Sequence, residues 1–205
     1  MDFIEVIEKR RTVRDFENKI IPNSIIEYAI GNAFKAPTFN HLREWDFIII
    51  DSLKSKLKLI ESENLDKVID VKELEFQFKD EEAVMKEMYL DAIPKQKKMI
   101  LDAPTVIIVV YKPKTKIENI KRIYDLNCIA SVWTCIENFL LSLAEHDVYG
   151  VTFIPQNNGI IKEKLGIPSE LEIASIIPIG YKANTAKTLT QKTINITERI
   201  HNEKW

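Results

Sequence analysis

The apolar run APTVIIVVY at residues 103–111 constrains the fold of this 205-residue chain more than any other stretch. Polar residues bound the run and β-branched side chains dominate it, so it predicts a β-strand. No polar residue interrupts it after Thr105, which indicates that other parts of the protein cover both faces of this strand. We therefore expect a central sheet with packed elements on its two sides.

Helices are expected to provide that cover, because apolar residues recur at helical spacing elsewhere in the chain. The helix predicted over residues 123–146 carries apolar side chains around most of its circumference, so we expect a second subunit to cover part of it. Another predicted helix follows Pro22, and Pro37 ends it. Shorter helices are predicted at residues 2–9 and 159–167, a buried strand at 45–51, and further strands at 148–155 and 173–181. The mixed order favours an α+β fold.

Two segments are less determined by their patterns. Residues 52–101 are rich in charge and helical in pattern, and this variable segment is either a lid over a site or a solvated helical face. Residues 187–205 form an extended tail in which Ile194 and Ile196 alternate with polar residues, like a half-buried strand. The tail is either an arm on a partner subunit or a local edge strand. With no repeat or linker, residues 1–205 are expected to form one domain.

The balance of charge excludes several classes of protein. The chain has 29 Lys and Arg against 31 Asp and Glu, interspersed, so it lacks the basic field that drives nucleic-acid binding. Met1 is not followed by a basic and then apolar leader, and no apolar stretch approaches the ~20 residues that cross a bilayer. We expect a cytoplasmic protein with neither nucleic acid nor a membrane as partner.

Cysteine and histidine positions give no sign of a metal site. Cys128 and Cys135 share one helical face, roughly 10 Å apart along the axis, which is too far for a disulfide. Buried reduced thiols are expected, with a redox pair as the alternative. The three histidines are scattered without a Cys or His partner at metal spacing, so no metal is expected.

A basic cluster lies at the predicted end of the first helix, where Arg10, Arg11 and Arg14 surround Thr12. Charge that complements the helix dipole accounts for one or two of these arginines. The alternative is a phosphate monoester, because each guanidinium can give two charge-assisted hydrogen bonds to phosphate oxygens. The five glycines form neither G-x-G-x-x-G nor a Walker A loop, so any phosphate must be held by side chains.

Several motifs in order carry a resemblance to a known family. They are KRRTVRDF, APTFNHLREWDFIII, LDAPTVIIVVY, the long helix from YDLNCIASVWT to LSLAEHDVYGV, KEKLGIPSELEIASIIPIGY, and a closing basic tail. Their order and spacing match from Asp2 to Trp205, except for the charged segment at 52–95. Together they make the chain similar to the nitroreductase family of flavoproteins.

The resemblance implies an interlocked homodimer with a mostly antiparallel sheet and FMN at the subunit interface. It further implies hydride transfer from NADH or NADPH, through the flavin, to a small electron-poor acceptor such as a nitroaromatic or a quinone. The flavin carries the chemistry, so no side chain is assigned as catalytic. The loop substitutions described below favour an alternative, a flavin-binding carrier or sensor without rapid NAD(P)H turnover.

The family pattern also implies positions for the cofactor. Arg10 and Thr12 match the phosphate side, Arg11 belongs to the same cluster, and Arg14 matches the basic residue that faces the flavin N1 and O2 edge. A fixed cation there stabilises the negative charge of the reduced flavin and raises its potential. The basic residue near the C-terminus that reaches the phosphate aligns best with Lys192, with Lys187 as the alternative.

Further cofactor contacts follow from the same resemblance. Pro37, Thr38 and Phe39 fall where the partner subunit packs on the ring system. Gln96 and Lys98 fall near the pyrimidine end. Core packing for Phe39 and a solvated surface position for Lys98 remain the alternatives.

Two departures from the family pattern concern the flavin. The loop pattern P-S-x-x-N-x-Q-P-W has Thr38, His41, Arg43 and Glu44 in this chain. His41 is either a titrating donor near the cofactor or a replacement for an amide that pins the loop. In the segment TFIPQ a backbone N–H usually meets flavin N5, but Pro155 has none. Either Ile154 or Gln156 takes that role, or N5 is less well held.

Overall fold

A four-stranded antiparallel sheet forms the centre of the molecule in the computed structural model, which describes residues 2–205. The strands are β1 (Trp45–Ile50), β2 (Thr105–Tyr111), β3 (Val148–Gly150) and β4 (Glu172–Tyr181). They lie in the order β1-β2-β4-β3, and each neighbouring pair is antiparallel. This arrangement confirms the expected α+β fold with its antiparallel sheet.

Strand β2 lies between two strands, and every one of its residues is buried. Its side chains alternate between two separate apolar clusters, one on each face of the sheet. One face receives Ile107, Val109 and Tyr111, and the other receives Val106, Ile108 and Val110. The structure thus confirms that both faces of the apolar run are covered, as its sequence predicts.

Helices form a layer on each side of the sheet. The helices are α1 (Phe3–Lys9), α2 (Asn23–Ala33), α3 (Leu53–Ser62), α4 (Val71–Gln77), α5 (Ala83–Asp102), α6 (Asn127–Glu145) and α7 (Asn158–Leu165). Side chains of α2 and α6 share one apolar cluster with the sheet. Side chains of α3, α5 and α7 share the other, so the charge-rich segment 52–101 supplies part of the second layer.

Helix α6 has one buried face and one exposed face. Val132, Ile136, Phe139 and Leu143 are buried against the sheet, as expected for a core helix. The exposed stripe consists of Ala130, Trp133, Thr134 and Glu137. By length and composition alone, Ile123–Glu145 is the one helical stretch in residues 2–205 that could cross a membrane, so the expectation that no stretch comes near that length is wrong. Residues 123–126, predicted as helix, form a 3₁₀ turn that precedes α6.

Three strand predictions differ from the structure. The predicted buried strand at 45–51 is wrong in its burial: β1 is an edge strand, and Ile49 is 48% exposed, because β1 pairs only with β2. Strand β3 is shorter than predicted and ends at Gly150; beyond it, the chain keeps only a single bridge from Phe153 to Ile176.

The strand predicted around Ile194 and Ile196 is wrong. Residues 196–199 form a 3₁₀ turn, and both isoleucines are exposed. Alternation of apolar and polar residues indicates an apolar face, but no element in the described part of the chain covers this one. The local edge strand is therefore excluded, and the alternative of an arm on a partner subunit stays a prediction.

Candidate functional site

The loop that follows α1 is fastened to the edge of the sheet. Thr12 forms a parallel bridge with Gly150, and Phe16 forms an antiparallel bridge with Lys182. Phe16 lies directly over Gly180, where an added Cβ would be only 2.8 Å from the phenyl ring. Side chains alternate along extended backbone, so burying Val13 directs Thr12 and Arg14 away from the core. Local packing therefore presents the basic cluster at the β3 edge.

A cavity of about 510 Å³ opens beside this loop. Its polar side consists of the cations Arg11, Arg14 and Lys192 together with the hydroxyl of Thr12. Its apolar side chains come from α5 and from the C-terminal tail: Val84, Met85, Met88, Leu189 and Ile194. The structure thus brings Arg11, Thr12, Arg14 and Lys192 together around one space, whereas Lys187 lines a neighbouring groove.

A second cavity, of about 230 Å³, adjoins the first. The two cavities share Arg11 and Thr12, and the second adds Arg10 together with Trp133 and Glu137 from the exposed stripe of α6. The basic cluster therefore lies between α5 on one side and α6 on the other. An anion at Thr12 could be reached by arginines from both cavities.

Each basic side chain at the site has a partner in the structure. Arg10 Nε lies 3.6 Å from Glu137 Oε1, and Arg11 Nη2 donates a hydrogen bond of 3.0 Å to the Leu189 carbonyl. The latter contact ties the C-terminal tail to the loop. This hydrogen bond uses one N–H group of the Arg11 guanidinium, so the other N–H groups of Arg11 are available to a ligand.

Arg14 and Lys192 differ in their surroundings. Lys192 Nζ lies 2.7 Å from Glu82 Oε2, but both side chains are mostly exposed, so this pair contributes little stability. Arg14 Nη1 lies 3.4 Å from Asp91 Oδ2, and both of these side chains are largely buried. Burial lowers the pKa of Arg14, and the carboxylates of Asp91 and Asp15 oppose that shift. Arg14 still stays charged, because the ordinary pKa of arginine is so high.

The loop at residues 37–43 lies elsewhere on the chain. Thr134 Oγ1 donates to the Pro37 carbonyl at 3.0 Å, and the Phe39 N–H donates to Ser131 Oγ at 2.9 Å. The loop is therefore fixed to the same helix, α6, that lines the smaller cavity. Pro37, Thr38, Phe39 and His41 line neither of the two basic cavities. A single chain does not bring the predicted ring contacts to the basic cluster.

Backbone strain marks this loop. Asn40, His41 and Arg43 have φ values of 50°, 56° and 47°, a left-handed conformation that is uncommon for residues other than glycine. Arg43 stabilises it, since its Nε donates to the Phe34 carbonyl at 3.0 Å and its N–H donates to Thr38 Oγ1 at 3.4 Å. Arg43 thus supports the loop itself rather than projecting toward a ligand.

Gln96 and Lys98 do not reach the basic cavities either. Gln96 lines a separate groove beside residues 63–69. Lys98 Nζ lies 2.6 Å from Asp102 Oδ2 and 3.6 Å from Asp15 Oδ1. The face of α5 that does reach the larger cavity carries Met85 and Met88, one turn apart.

The segment around Pro155 is held by a buried carboxylate. Glu63 accepts the N–H groups of both Gln156 and Asn157 at 2.8 Å. The Gln156 donor is thereby engaged. Within residues 2–205, no hydrogen bond uses the Ile154 N–H, and the Ile154 side chain is exposed. Of the two donors considered from the sequence, Ile154 alone is free.

Sequence reasoning missed several residues that shape the site. They are Asp91, Glu63, Glu137, Met85, Met88 and Leu189. The three-residue spacing of Met85 and Met88 does indicate a shared helical face. Nothing in the local pattern indicates that this face is directed at the arginine loop.

The sheet, its two helix layers and the basic cleft at the β3 edge define an α+β protein whose candidate site is rich in arginine. A family model described as Nitroreductase family matches residues 7–181. The chain belongs to this family of flavoproteins.

Curated relatives carry two kinds of name. Iodotyrosine deiodinase 1 of Rattus norvegicus is 26% identical over 206 residues, which cover 95% of this chain and 67% of the rat protein. A Methanothermobacter thermautotrophicus protein provisionally named NADH dehydrogenase/NAD(P)H nitroreductase is 27% identical over 210 residues, which cover 100% of this chain and 88% of that protein. The chain thus spans about two thirds of the rat protein's length.

A solved structure has the same fold. It is an oxidized iodotyrosine deiodinase bound to FMN and 3-iodo-L-tyrosine, with a TM-score of 0.71 and 21% identity. The match covers 94% of this chain and 96% of the other. At that level of identity, the likeness establishes the fold.

Proposed function

We propose that this chain binds FMN and passes electrons from NADH or NADPH, through the flavin, to a small electron-poor acceptor. The observation that carries this proposal is the 510 Å³ cavity, in which Arg11, Arg14 and Lys192 face an apolar wall that includes Met85 and Met88. FMN has the matching halves, because it joins a phosphate monoester to a largely apolar ring system. The volume lies within the usual range for a cofactor site, roughly 300–1,000 Å³.

The donor set fits the phosphate. Arg10, Arg11 and Lys192 supply cations around the Thr12 hydroxyl, and guanidinium groups bind phosphate oxygens in pairs. No glycine cradle is needed when side chains supply this many donors. The Arg11 contact to Leu189 also keeps the tail, with Lys192, close to the loop.

Bound FMN supplies two-electron chemistry between a nicotinamide and an acceptor. The buried, charged Arg14 is suited to stabilise negative charge at the N1 and O2 edge. The free Ile154 N–H is the donor we assign to the N5 edge. The overall balance is NAD(P)H, a proton and a quinone giving NAD(P)⁺ and a hydroquinone, or the corresponding two-electron reduction of a nitroaromatic.

The complete site requires two copies of the chain in this proposal. The loop carrying Pro37, Thr38, Phe39 and His41 would then pack on the ring from the partner subunit. The exposed stripe of α6 is the surface proposed for the dimer contact. In the same proposal, residues 1–205 act as one domain, 187–205 form an arm, and 52–101 cover the site.

The test is a titration of the apo protein with FMN, followed by anaerobic NADH or NADPH. We expect tight binding, bleaching of the flavin's visible absorbance within seconds to minutes, and return of the colour when a quinone is added. An Arg10→Ala, Arg11→Ala variant serves as the control and should lose binding. Flavin that binds but stays oxidised supports the carrier alternative, and absence of binding rejects both.

A second candidate is reductive dehalogenation of an aromatic compound. The iodotyrosine deiodinase relatives, which match over most of this chain, favour it. In that reaction the carbon–iodine bond breaks, a carbon–hydrogen bond forms and iodide leaves, while the reduced flavin loses two electrons and one proton. Iodide release from 3-iodotyrosine, measured with chemically reduced holoprotein, distinguishes it from the first candidate, which predicts turnover of the quinone and no iodide.

A further inference from the structure

Arg14, which lines the larger cavity, forms an ion pair with Asp91 of helix α5. Arg14 Nη1 lies 3.4 Å from Asp91 Oδ2, and the two side chains are only 13% and 10% exposed. Solvent screens such a pair weakly, so each group strongly affects the electrostatic field around the other. Asp91 lines the neighbouring groove rather than this cavity, so a ligand at Arg14 is affected by the field of the carboxylate without contacting it.

Asp91 is fixed from two sides. Its Oδ1 lies 2.6 Å from Lys95 Nζ, while its Oδ2 faces Arg14. Lys95 in turn lies 2.6 Å from Asp15 Oδ2. Burial alone would lower the pKa of Lys95, but its hydrogen bonds to Asp15 and Asp91 outweigh burial and raise it. Lys95 therefore stays a cation, and Asp91 keeps one geometry.

The row of alternating charges continues toward solvent. Lys98 links Asp15, at 3.6 Å, to Asp102, at 2.6 Å. At this outer end Lys98 is 57% exposed and Asp102 is 39% exposed. Because exposed charges are well screened, the inner carboxylate of Asp91 acts on the cavity much more strongly than the outer carboxylate of Asp102.

We propose that Asp91 is a positioning residue that holds the Arg14 guanidinium toward helix α5 and so limits how strongly that cation favours reduced flavin. This inference rests on the proposed function, because it places FMN in the cavity beside Arg14. Two-electron reduction adds negative charge to the ring, which Arg14 attracts and Asp91 repels. The segment 52–101 would then set the redox behaviour of the site through one carboxylate, in addition to covering it.

Asp91→Asn tests the electrostatic part, since it removes the charge and keeps the size of the side chain. FMN affinity is measured for oxidised flavin and for flavin reduced with dithionite. We expect the preference for reduced flavin to rise about tenfold over wild type, which corresponds to ~30 mV for a two-electron couple. Asp102→Asn, the same change at the exposed end, should alter it less than about twofold. Equal preferences in wild type and Asp91→Asn overturn the proposal.

A double-mutant cycle tests whether Asp91 acts through Arg14. The effect of Asp91→Asn is measured again in an Arg14→Met background. If Asp91 positions Arg14, that effect should fall by at least about half on a logarithmic scale. An effect of unchanged size contradicts the positioning role.

A measurement without flavin separates this inference from the proposed function. Phenylglyoxal modifies accessible arginines, and mass spectrometry locates the modified residue. Asp91→Asn should release Arg14 and speed its modification about fivefold, and Asp91→Glu should restore slow modification. An unchanged rate in a variant whose circular dichroism is native overturns the inference. Failure of wild type to bind FMN overturns the proposed function instead.

Discussion

The basic half of the candidate site and its loop half differ in how far one chain completes them. Arg11, Thr12, Arg14 and Lys192 surround a single cavity although they come from both ends of the chain. The loop from Pro37 to Arg43 has a defined and strained conformation, yet it borders neither basic cavity. Both halves contact α6: Arg10 lies near Glu137, and the Phe39 N–H donates to Ser131 Oγ. The contrast shows that one chain gathers the basic residues around a cavity but leaves the loop away from it, which is why the proposed site needs a second copy.

The largest effect is expected from a substitution on the exposed stripe of α6, which tests whether the two halves of the site need two chains. Ala130→Glu adds a charge at the stripe without removing any buried atom. Because an unpaired charge in an interface is strongly unfavourable, we expect monomers in analytical ultracentrifugation and loss of nearly all FMN binding. Ser169→Glu adds the same charge on an exposed loop and should preserve both. A monomeric Ala130→Glu protein that binds FMN like wild type would show that one chain suffices.

Mixed dimers sharpen the comparison further. Arg11→Ala and Phe39→Ala should each weaken FMN binding about tenfold to a hundredfold, the usual effect of losing a charge-assisted hydrogen bond or an aromatic stacking surface. If the two halves come from different chains, a dimer with one variant of each type keeps one intact site and has one doubly damaged site. Co-expression with two affinity tags isolates that dimer. Isothermal titration should find one tight site in it, whereas two equally weak sites would place both halves in the same chain.

The two lysines of the tail provide a matched pair. Lys192 lines the larger cavity, and Lys187 lines the adjacent groove. Lys192→Ala should weaken FMN binding about tenfold, because a phosphate loses one charge-assisted contact. Lys187→Ala should change it by less than about twofold. Fluorescence titration measures both, and the reverse order would assign the phosphate contact to Lys187.

The smallest effect concerns the inner side of α6, where Cys135 is fully buried. Burial raises the pKa of this thiol from 9.0 to about 12. The unfolded chain therefore loses the thiol proton first as pH rises, so stability present below pH 9 decreases above it. Between pH 8 and pH 10 wild type should lose about 1 kcal/mol more than Cys135→Ala in urea unfolding under reducing conditions. Equal losses of unfolding free energy in the two proteins would show that folding does not raise the pKa of the Cys135 thiol.

The central elements were predictable from the sequence because their signals are local. The unbroken apolar run of β2 requires cover on two faces, and the structure provides two apolar clusters. The boundaries of α1, α2 and α7 agree with their apolar spacing to within a few residues. The tail at 193–200 was predicted wrongly for the same reason, since alternation reports an apolar face without saying what lies against it.

The site was predictable only in part. The arginine cluster follows from residue type and Lys192 from the family resemblance, and the structure brings Arg11, Arg14 and Lys192 together. Asp91 and Glu63 were missed because their partners, Arg14 and the residues after Pro155, lie far away in sequence. Such pairings depend on how α3 and α5 pack against the sheet, and no periodic pattern encodes that.

The bridge between Thr12 and Gly150 has a consequence for how the chain reaches its folded state. The arginine loop is synthesised before the strand edge that receives it, which follows more than a hundred residues later. Since non-local pairings of this kind form slowly, the arginine loop cannot take its place until β3 has been synthesised. The cavity that the proposed function assigns to the coenzyme therefore depends on a pairing between distant parts of the chain.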